Sequence, residues 1–240
     1  HFTDDRIVSM IQAIKSKYPD TRVTLSLGEK EKDSYQKYYD AGADRYLLRH
    51  ETANKALYES LHPKMSFEHR KQCLEDLKAI GYQLGAGFMV GVPGQTLEHL
   101  VEDLKYLKDL QPHMVGIGPF VPHKDTPFGG HESGTVDLTV TLLAMIRLIL
   151  PSVLLPATTS LGTIDNKGRE QGLKAGGNVV MPNLSPIDVR EKYALYDGKI
   201  CTGDEAAQCR QCIEKRINSI GYKVDMSVGD NIHWRRNYVY

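Results

Sequence analysis

Apolar and polar positions along this chain follow two periods that take turns. Short runs of strand character, alternating or continuously apolar, stand at residues 22–27, 45–49, 83–90, 114–119, 154–159 and 178–182. Stretches with apolar residues at helical spacing lie between and around them, at 4–17, 32–41, 66–80, 97–110 and 138–150. In one helical stretch Leu97, Leu100, Leu104 and Leu107 recur a turn apart, and in another Phe67, Leu74 and Leu77 do so. Gly81 and Pro112 follow two of these stretches as stop signals. Strands alternating with helices of this length predict parallel βαβ units, hence an α/β fold. Six strands are expected where a closed (β/α)8 barrel has eight, so either the sheet is open or two strands are missing from one end. The alternation stops after Pro182. Residues 1–184 are therefore expected to form the α/β body, and 185–240 a helical C-terminal appendage with cysteines and a Trp/Arg/Tyr-rich tail.

Composition narrows the partners. The 240 residues include 30 basic and 30 acidic side chains, a balance that argues against nucleic acid as the main partner. No apolar run approaches the roughly 20 residues of a membrane span, and no signal segment opens the chain, which begins at His1. The four cysteines, Cys73, Cys201, Cys209 and Cys212, do not make a secreted disulfide framework; a reducing cytoplasm is expected.

The run from Arg45 to Glu51, RYLLRHE, carries the sharpest chemical signal. Side chains alternate along a strand, so Arg49 and Glu51 leave its C-terminal end on one face. Helix-covered parallel sheets place their ligand chemistry at that end. A cation beside an anion suits a zwitterionic ligand with a carboxylate and sugar hydroxyls; it equally describes a pair that satisfies itself. Arg70, on a helix, offers a second fixed cation for a carboxylate. The glycine-rich run 85–96 reads either as a turn that a ligand approaches closely or as a tight packed loop. Thr24 with Ser26, and Thr158, Thr159 and Ser160, put hydroxyls at two further strand ends, where they suit anions or substrate, although threonine is also an ordinary strand residue. Cys201, Cys209 and Cys212 have the spacing of metal ligands. They fit zinc, with His233 as a candidate fourth ligand, an iron–sulfur cluster, or three unligated thiols; Cys73 reads as a small apolar helix residue.

The segments RYLLRHET (45–52), GAGFMVGVPGQT (85–96), MVGIGPFVPH (114–123), LPATTSLGT (155–163) and NVVMPN (178–183) closely resemble the HydE family. These are the radical S-adenosylmethionine (SAM) maturases of [FeFe]-hydrogenase, related to biotin synthase and to the pyrrolysine-pathway mutase. The likeness runs from about Val23 to Lys199, and the three-cysteine pattern continues it. It implies a (β/α)8 TIM barrel of the radical SAM type, with about six βα units in this sequence. It also implies a [4Fe-4S] cluster on a CxxxCxxC loop, with SAM on its unique iron and reductive cleavage to a 5′-deoxyadenosyl radical. Carried over, Glu51 holds the SAM ribose, Arg70 the SAM carboxylate, and the strand end with Met114, Pro119 and Val121 lines the adenine site. Thr24, Arg49, Thr158, Thr159, Met181, Tyr193 and Tyr196 match the substrate and anion pocket. Cys201, Cys209 and Cys212 match ligands of an auxiliary [2Fe-2S] or [4Fe-4S] cluster that only some members carry and that the chemistry does not need.

The implied task is processing of an iron–cysteinate intermediate toward the dithiomethylamine bridge of the hydrogenase di-iron subcluster. The implied partners are a small organometallic or thiol substrate and other maturation proteins. The sequence itself contains no CxxxCxxC. The expectation is that its numbering begins inside the barrel, just after the second strand, with the cluster ligands in a preceding segment. Two other readings stand beside this one: a biotin synthase- or mutase-like radical SAM enzyme acting on a small organic substrate, and a non-enzymatic iron–sulfur carrier.

Overall fold

In the computed structural model the described residues are 2–186, 188, 196–200 and 206–236, the last segment with backbone alone at 206–209. They form two compact units. The first comprises His1–Phe88, Glu98–Val115 and Ser227–Tyr240, and the second Met89–Leu97 and Gly116–Met226.

The first unit opens with α1 (Asp4–Lys17), β1 (Val23–Leu25), α2 (Lys32–Asp40) and β2 (Ala43–Leu47). It continues with α3 (Lys55–Leu61), α4 (Phe67–Ile80) and β3 (Gln83–Ala86). After β4 (Met89–Val90) the chain forms α5 (Leu97–Leu110) and β5 (Met114–Val115). Strands β1, β2, β3 and β5 pair in that order and all in parallel, with Thr24 against Arg45, Arg45 against Gln83 and Gly85 against Met114. Gly85 lies so close to β2 that an added Cβ would stand 2.8 Å from Leu47 Cδ1 and 3.4 Å from Leu47 Cα, so a side chain there would make Leu47 shift. Ser66 caps α4 by accepting from the His69 N–H, and Gly81 ends it in the left-handed region at φ 105°. Ile7, Ile11, Tyr35, Tyr38, Leu74, Leu77, Leu100, Leu104 and Leu107 are the buried faces of these helices. Leu97, expected on the apolar stripe of α5, is 67% exposed at its first turn. Tyr35, Tyr46, Tyr82 and Tyr39 stack edge to face in sequence at 5.0, 5.7 and 5.0 Å, filling the core between α2 and the sheet.

The tail joins this unit at the N-terminal ends of the strands. Asp230 accepts from Arg22, Arg45 and Gln83 at 2.9, 2.8 and 2.9 Å. The buried Trp234 donates to Gly81 O, and Arg236 donates to Asp44 Oδ1 and Ala43 O.

In the second unit β4 pairs in parallel with β6 (Gly118–Pro119), and α6 (Val136–Ile149), α7 (Thr159–Ile164), α8 (Gly168–Lys174) and α9 (Ala206–Ser219) follow. Helix α9 is tied to α8 by Arg216 and Glu170 at 2.7 Å and buries Ile213. The segment 185–240 is thus shared between the two units.

Helices α1 and α5 have the bounds expected from periodicity, and three others agree within two residues. The strands differ more. The run 83–90 divides into β3 and β4 around Gly87 and Phe88, and 114–119 divides into β5 and β6. The strands expected at 154–159 and 178–182 are reduced to an isolated parallel bridge between Pro156 and Val179. Pro156 has no N–H for a ladder, and Thr159 already begins α7. Among the described residues no helix is long and apolar enough to cross a membrane.

Candidate functional site

Beyond Leu47 the backbone stays near β3, with Leu48 N–H donating to Gly85 O at 2.9 Å and Glu51 N–H to Gly87 O at 3.1 Å. Glu51 takes a left-handed backbone, φ 67°, an unfavourable conformation for a residue with a Cβ. This bend follows the strand end and sets Arg49 and Glu51 side by side. Arg49 Nε lies 3.2 Å from Glu51 Oε1, and Arg49 Nη2 lies 3.2 Å from Glu51 Oε2. The second contact is close enough to attract but poorly aligned, so the buried Oε2 has no hydrogen-bond partner. Both readings of the pair hold in part: one oxygen is satisfied, the other open.

His50, between them, points inward and is 1% exposed. Its Nδ1 accepts from Gly87 N–H at 3.3 Å, which places the proton on Nε2, 3.2 Å from Asp103 Oδ1. Asp103 also accepts from Ala53 N–H at 2.5 Å, and burial raises its carboxyl above the ordinary range. This inward pair fastens the Arg49–Glu51 segment to the turn after β3 and to α5.

Arg70, buried on α4, uses its Nε twice: 2.7 Å to Glu29 Oε1 and 3.1 Å to the Tyr58 hydroxyl. The Tyr58 hydroxyl also lies 3.3 Å from Glu29 Oε1, and burial holds it above the usual phenol range. His62 packs on the Tyr58 ring with centroids 5.0 Å apart, and its Nε2 is buried without a partner. Burial lowers the His62 pKa; Glu51 acts on it most strongly among nearby charges, followed by Arg70, Glu29 and Arg49. Glu29, Tyr58, His62 and the His50–Asp103 pair were not legible as site residues in the sequence. Glu29 follows a strand that ends at Leu25, a position that parallel sheets commonly use, and that was the one available signal.

In the second unit Thr158 Oγ1 and Ser160 Oγ lie 3.0 Å apart at the start of α7. An added Cβ on Gly118 would stand 2.7 and 2.5 Å from these two hydroxyls, so that glycine makes room for them. Thr159 is partly buried, as is Tyr196, while Met181 is 52% exposed. Pro119 is buried on β6 and Val121 partly buried after it, whereas Met114 and the exposed Thr24 belong to the first unit. The structure therefore sets Arg49 beside Glu51, with Arg70 near enough to feel the Glu51 charge, and Thr158 beside Ser160. The glycine-rich run takes its packed reading: Gly91, at φ 80°, abuts Gly134, and Gln95 closes the turn onto Gly91 N–H and Met89 O at 2.6 and 2.9 Å.

Tyr193 and Cys201 lie outside the described residues, as does the Cys209 side chain; Cys212 is exposed on α9. Among the described residues no three His, Cys, Asp or Glu side chains are grouped to hold a metal ion.

The signature of the Radical SAM superfamily matches residues 2–107. The chain is 48% identical to the [FeFe] hydrogenase maturase subunit HydE of Thermotoga maritima over 93% of its length, and 29% identical to the 3-methylornithine synthase of Methanosarcina acetivorans over 90%. It spans 64% and 60% of those two proteins. The crystal structure of methylornithine synthase (PylB) superposes with a TM-score of 0.77 at 26% identity, over 92% of this chain and 64% of that one. HydG from Carboxydothermus hydrogenoformans superposes at 0.67 with 18% identity, covering 92% and 53%, a likeness of fold. The fold is that of a partial radical SAM (β/α) barrel, as the sequence implied.

Proposed function

The chain belongs to the radical SAM superfamily, and on that premise we propose that it forms the S-adenosylmethionine-binding and substrate-binding part of an [FeFe]-hydrogenase maturase. The observation that carries the proposal is its near-half identity with a HydE protein along almost its whole length.

The first unit fits SAM on its own terms. A buried carboxylate oxygen without a hydrogen bond, Glu51 Oε2, suits a ribose hydroxyl, and the buried Arg70 suits a carboxylate. Met114 of this unit, and Pro119 and Val121 of the second, are proposed for the adenine on the family resemblance. For the [4Fe-4S] cluster the described residues supply no ligand set. When bound, SAM would supply the chemistry of hydrogen abstraction. This chain's own residues bind and orient. The Glu29–Tyr58 support holds the Arg70 guanidinium in one place, and the His50–Asp103 pair holds the bend that presents Glu51. Behind this segment the His50 and Asp103 side chains are almost fully buried.

Thr24, Arg49, Thr158, Thr159, Met181, Tyr193 and Tyr196 are proposed as the substrate and anion pocket, acting on an iron–cysteinate intermediate toward the dithiomethylamine bridge. Cys201, Cys209 and Cys212 are proposed as ligands of an auxiliary cluster. Other maturation proteins in the cytoplasm are the proposed partners. The test is to reconstitute the full-length protein with iron and sulfide, reduce it, and supply SAM with a synthetic iron–cysteinate complex. The expected result is 5′-deoxyadenosine formed in step with loss of the complex. SAM cleavage that proceeds only with an organic amino-acid substrate overturns the maturase reading in favour of a mutase.

A further inference from the structure

Two polar atoms of the first unit are buried without a hydrogen-bond partner inside one charged cluster: Glu51 Oε2 and His62 Nε2. Nearly all buried polar atoms are paired, so an unpaired one calls for strain or for a partner from outside the fold; Tyr39, Arg45, Asp103 and Tyr106 of this unit each carry one as well, but Glu51 and His62 are the two that act on each other's charge. Both are rigidly held. Glu51 is fixed by its backbone bond to Gly87 O and by the fork to Arg49. The His62 ring rests on Tyr58, whose hydroxyl is itself engaged by Arg70 and Glu29, and the His62 N–H closes α3 onto Tyr58 O at 2.8 Å.

The chemistry of the two atoms is complementary. Glu51 Oε2 only accepts. His62 is held neutral by burial, so with its proton on Nε2 it donates one hydrogen bond there. The two do not bond each other. A carboxylate would satisfy only the donor and an ammonium only the acceptor, whereas a hydroxyl both donates and accepts. Resting on the proposed SAM site, we infer that one ribose hydroxyl bridges the two residues, donating to Glu51 Oε2 and accepting from His62 Nε2, so that His62 is a ligand-binding residue specific for that hydroxyl.

The test is calorimetric titration of the full-length protein with S-adenosylhomocysteine and with its 2′-deoxy and 3′-deoxy analogues. The variants are His62→Phe, which keeps a ring on Tyr58, and His62→Gln, which restores a donor. His62→Phe should weaken S-adenosylhomocysteine about five- to tenfold. It should leave unchanged the affinity for whichever analogue lacks the bridging hydroxyl. His62→Gln should recover part of the loss, and in the wild type the His62 ¹⁵Nε2 resonance should move on addition of S-adenosylhomocysteine but not of that analogue. Equal weakening for all three ligands overturns the inference, as does no weakening or an unmoved resonance. In those cases wild-type binding leaves the proposed SAM site standing. A wild type that binds neither SAM nor S-adenosylhomocysteine overturns the proposed function itself. If His62→Phe fails to fold, His62→Gln and the wild-type resonance decide.

Discussion

The two ends of the parallel strands in the first unit are both rich in charge, yet they keep different accounts of it. At the N-terminal ends every acidic oxygen of Asp44 and Asp230 is spoken for. Asp44 meets Val23 N–H, Lys15 and Arg236 at 2.9, 2.7 and 2.9 Å, and Asp230 takes Arg22, Arg45 and Gln83. At the C-terminal ends Glu51 and His62 each leave a buried atom unbonded, and Glu51 sits in a strained backbone. Arg45 Nε is also buried without a partner at the lower end, so the difference lies in the acids: those below are fully bonded, while the upper end leaves a carboxylate oxygen open where a ligand can be received. This division agrees with the general one in barrels, stability at the bottom and chemistry at the top.

The contrast would break first at Asp44. Asp44→Ala leaves Lys15, Arg22 and Arg236 around a buried gap, and should lower unfolding free energy by about 3–5 kcal/mol in a denaturant titration. A loss below about 1 kcal/mol would mean that the lower end is not the anchor. Glu51→Gln should do the reverse. It should weaken SAM binding about ten- to a hundredfold, as expected for a charge-assisted bond, while moving the melting temperature by only a few degrees. A large drop in stability without loss of binding would make Glu51 structural.

Acid sharpens the comparison further. Burial pushes the Asp230 carboxyl up, but its bonds to Arg45, Gln83 and Arg22 outweigh that and hold it below its ordinary 3.8. Its stabilisation is therefore complete above the unfolded value and fades as pH falls below 3.8 through the folded one. Asp230→Asn should flatten that acid limb of a stability–pH curve. The smallest effect is at His62, whose pKa is lowered from 6.5, so the unfolded chain takes up the proton first. Stability should decline slightly as pH falls from 6.5 toward the folded value, and His62→Gln should remove that slope.

Much of this was legible beforehand where the signal was local. Periodicity located α1 and α5, and the two-residue spacing put Arg49 beside Glu51, although the strand ends at Leu47 and a bend at Glu51, not strand alternation, brings the two together. What escaped depends on contacts distant in sequence. Tyr58 and His62 gain their meaning only when α3 packs on α4 and brings Arg70 to Glu29, 41 residues away by number (70 less 29). The left-handed turn at Glu51 is imposed by the ladder to Gly87 and by His50, since glutamate itself disfavours it. The tail read as an unassigned Trp/Arg/Tyr-rich segment because its partners, Arg22, Asp44 and Gly81, lie far upstream. The strands expected at 154–159 and 178–182 failed because a proline and an early helix start outweigh β-type composition.

The bond between Arg22 and Asp230 spans 208 residues, and it gives the first unit a timetable as well as a floor. A ribosome adding about 5–20 residues per second emits Asp230 some 10–40 seconds after Arg22. Through that interval the Arg22 and Arg45 guanidinium groups and the Gln83 amide, at the sheet's lower end, wait for an acid that has not yet been made. The strands made early in this chain are thus among the last parts of the unit to be finished, and their early life depends on whatever shields them until the tail arrives.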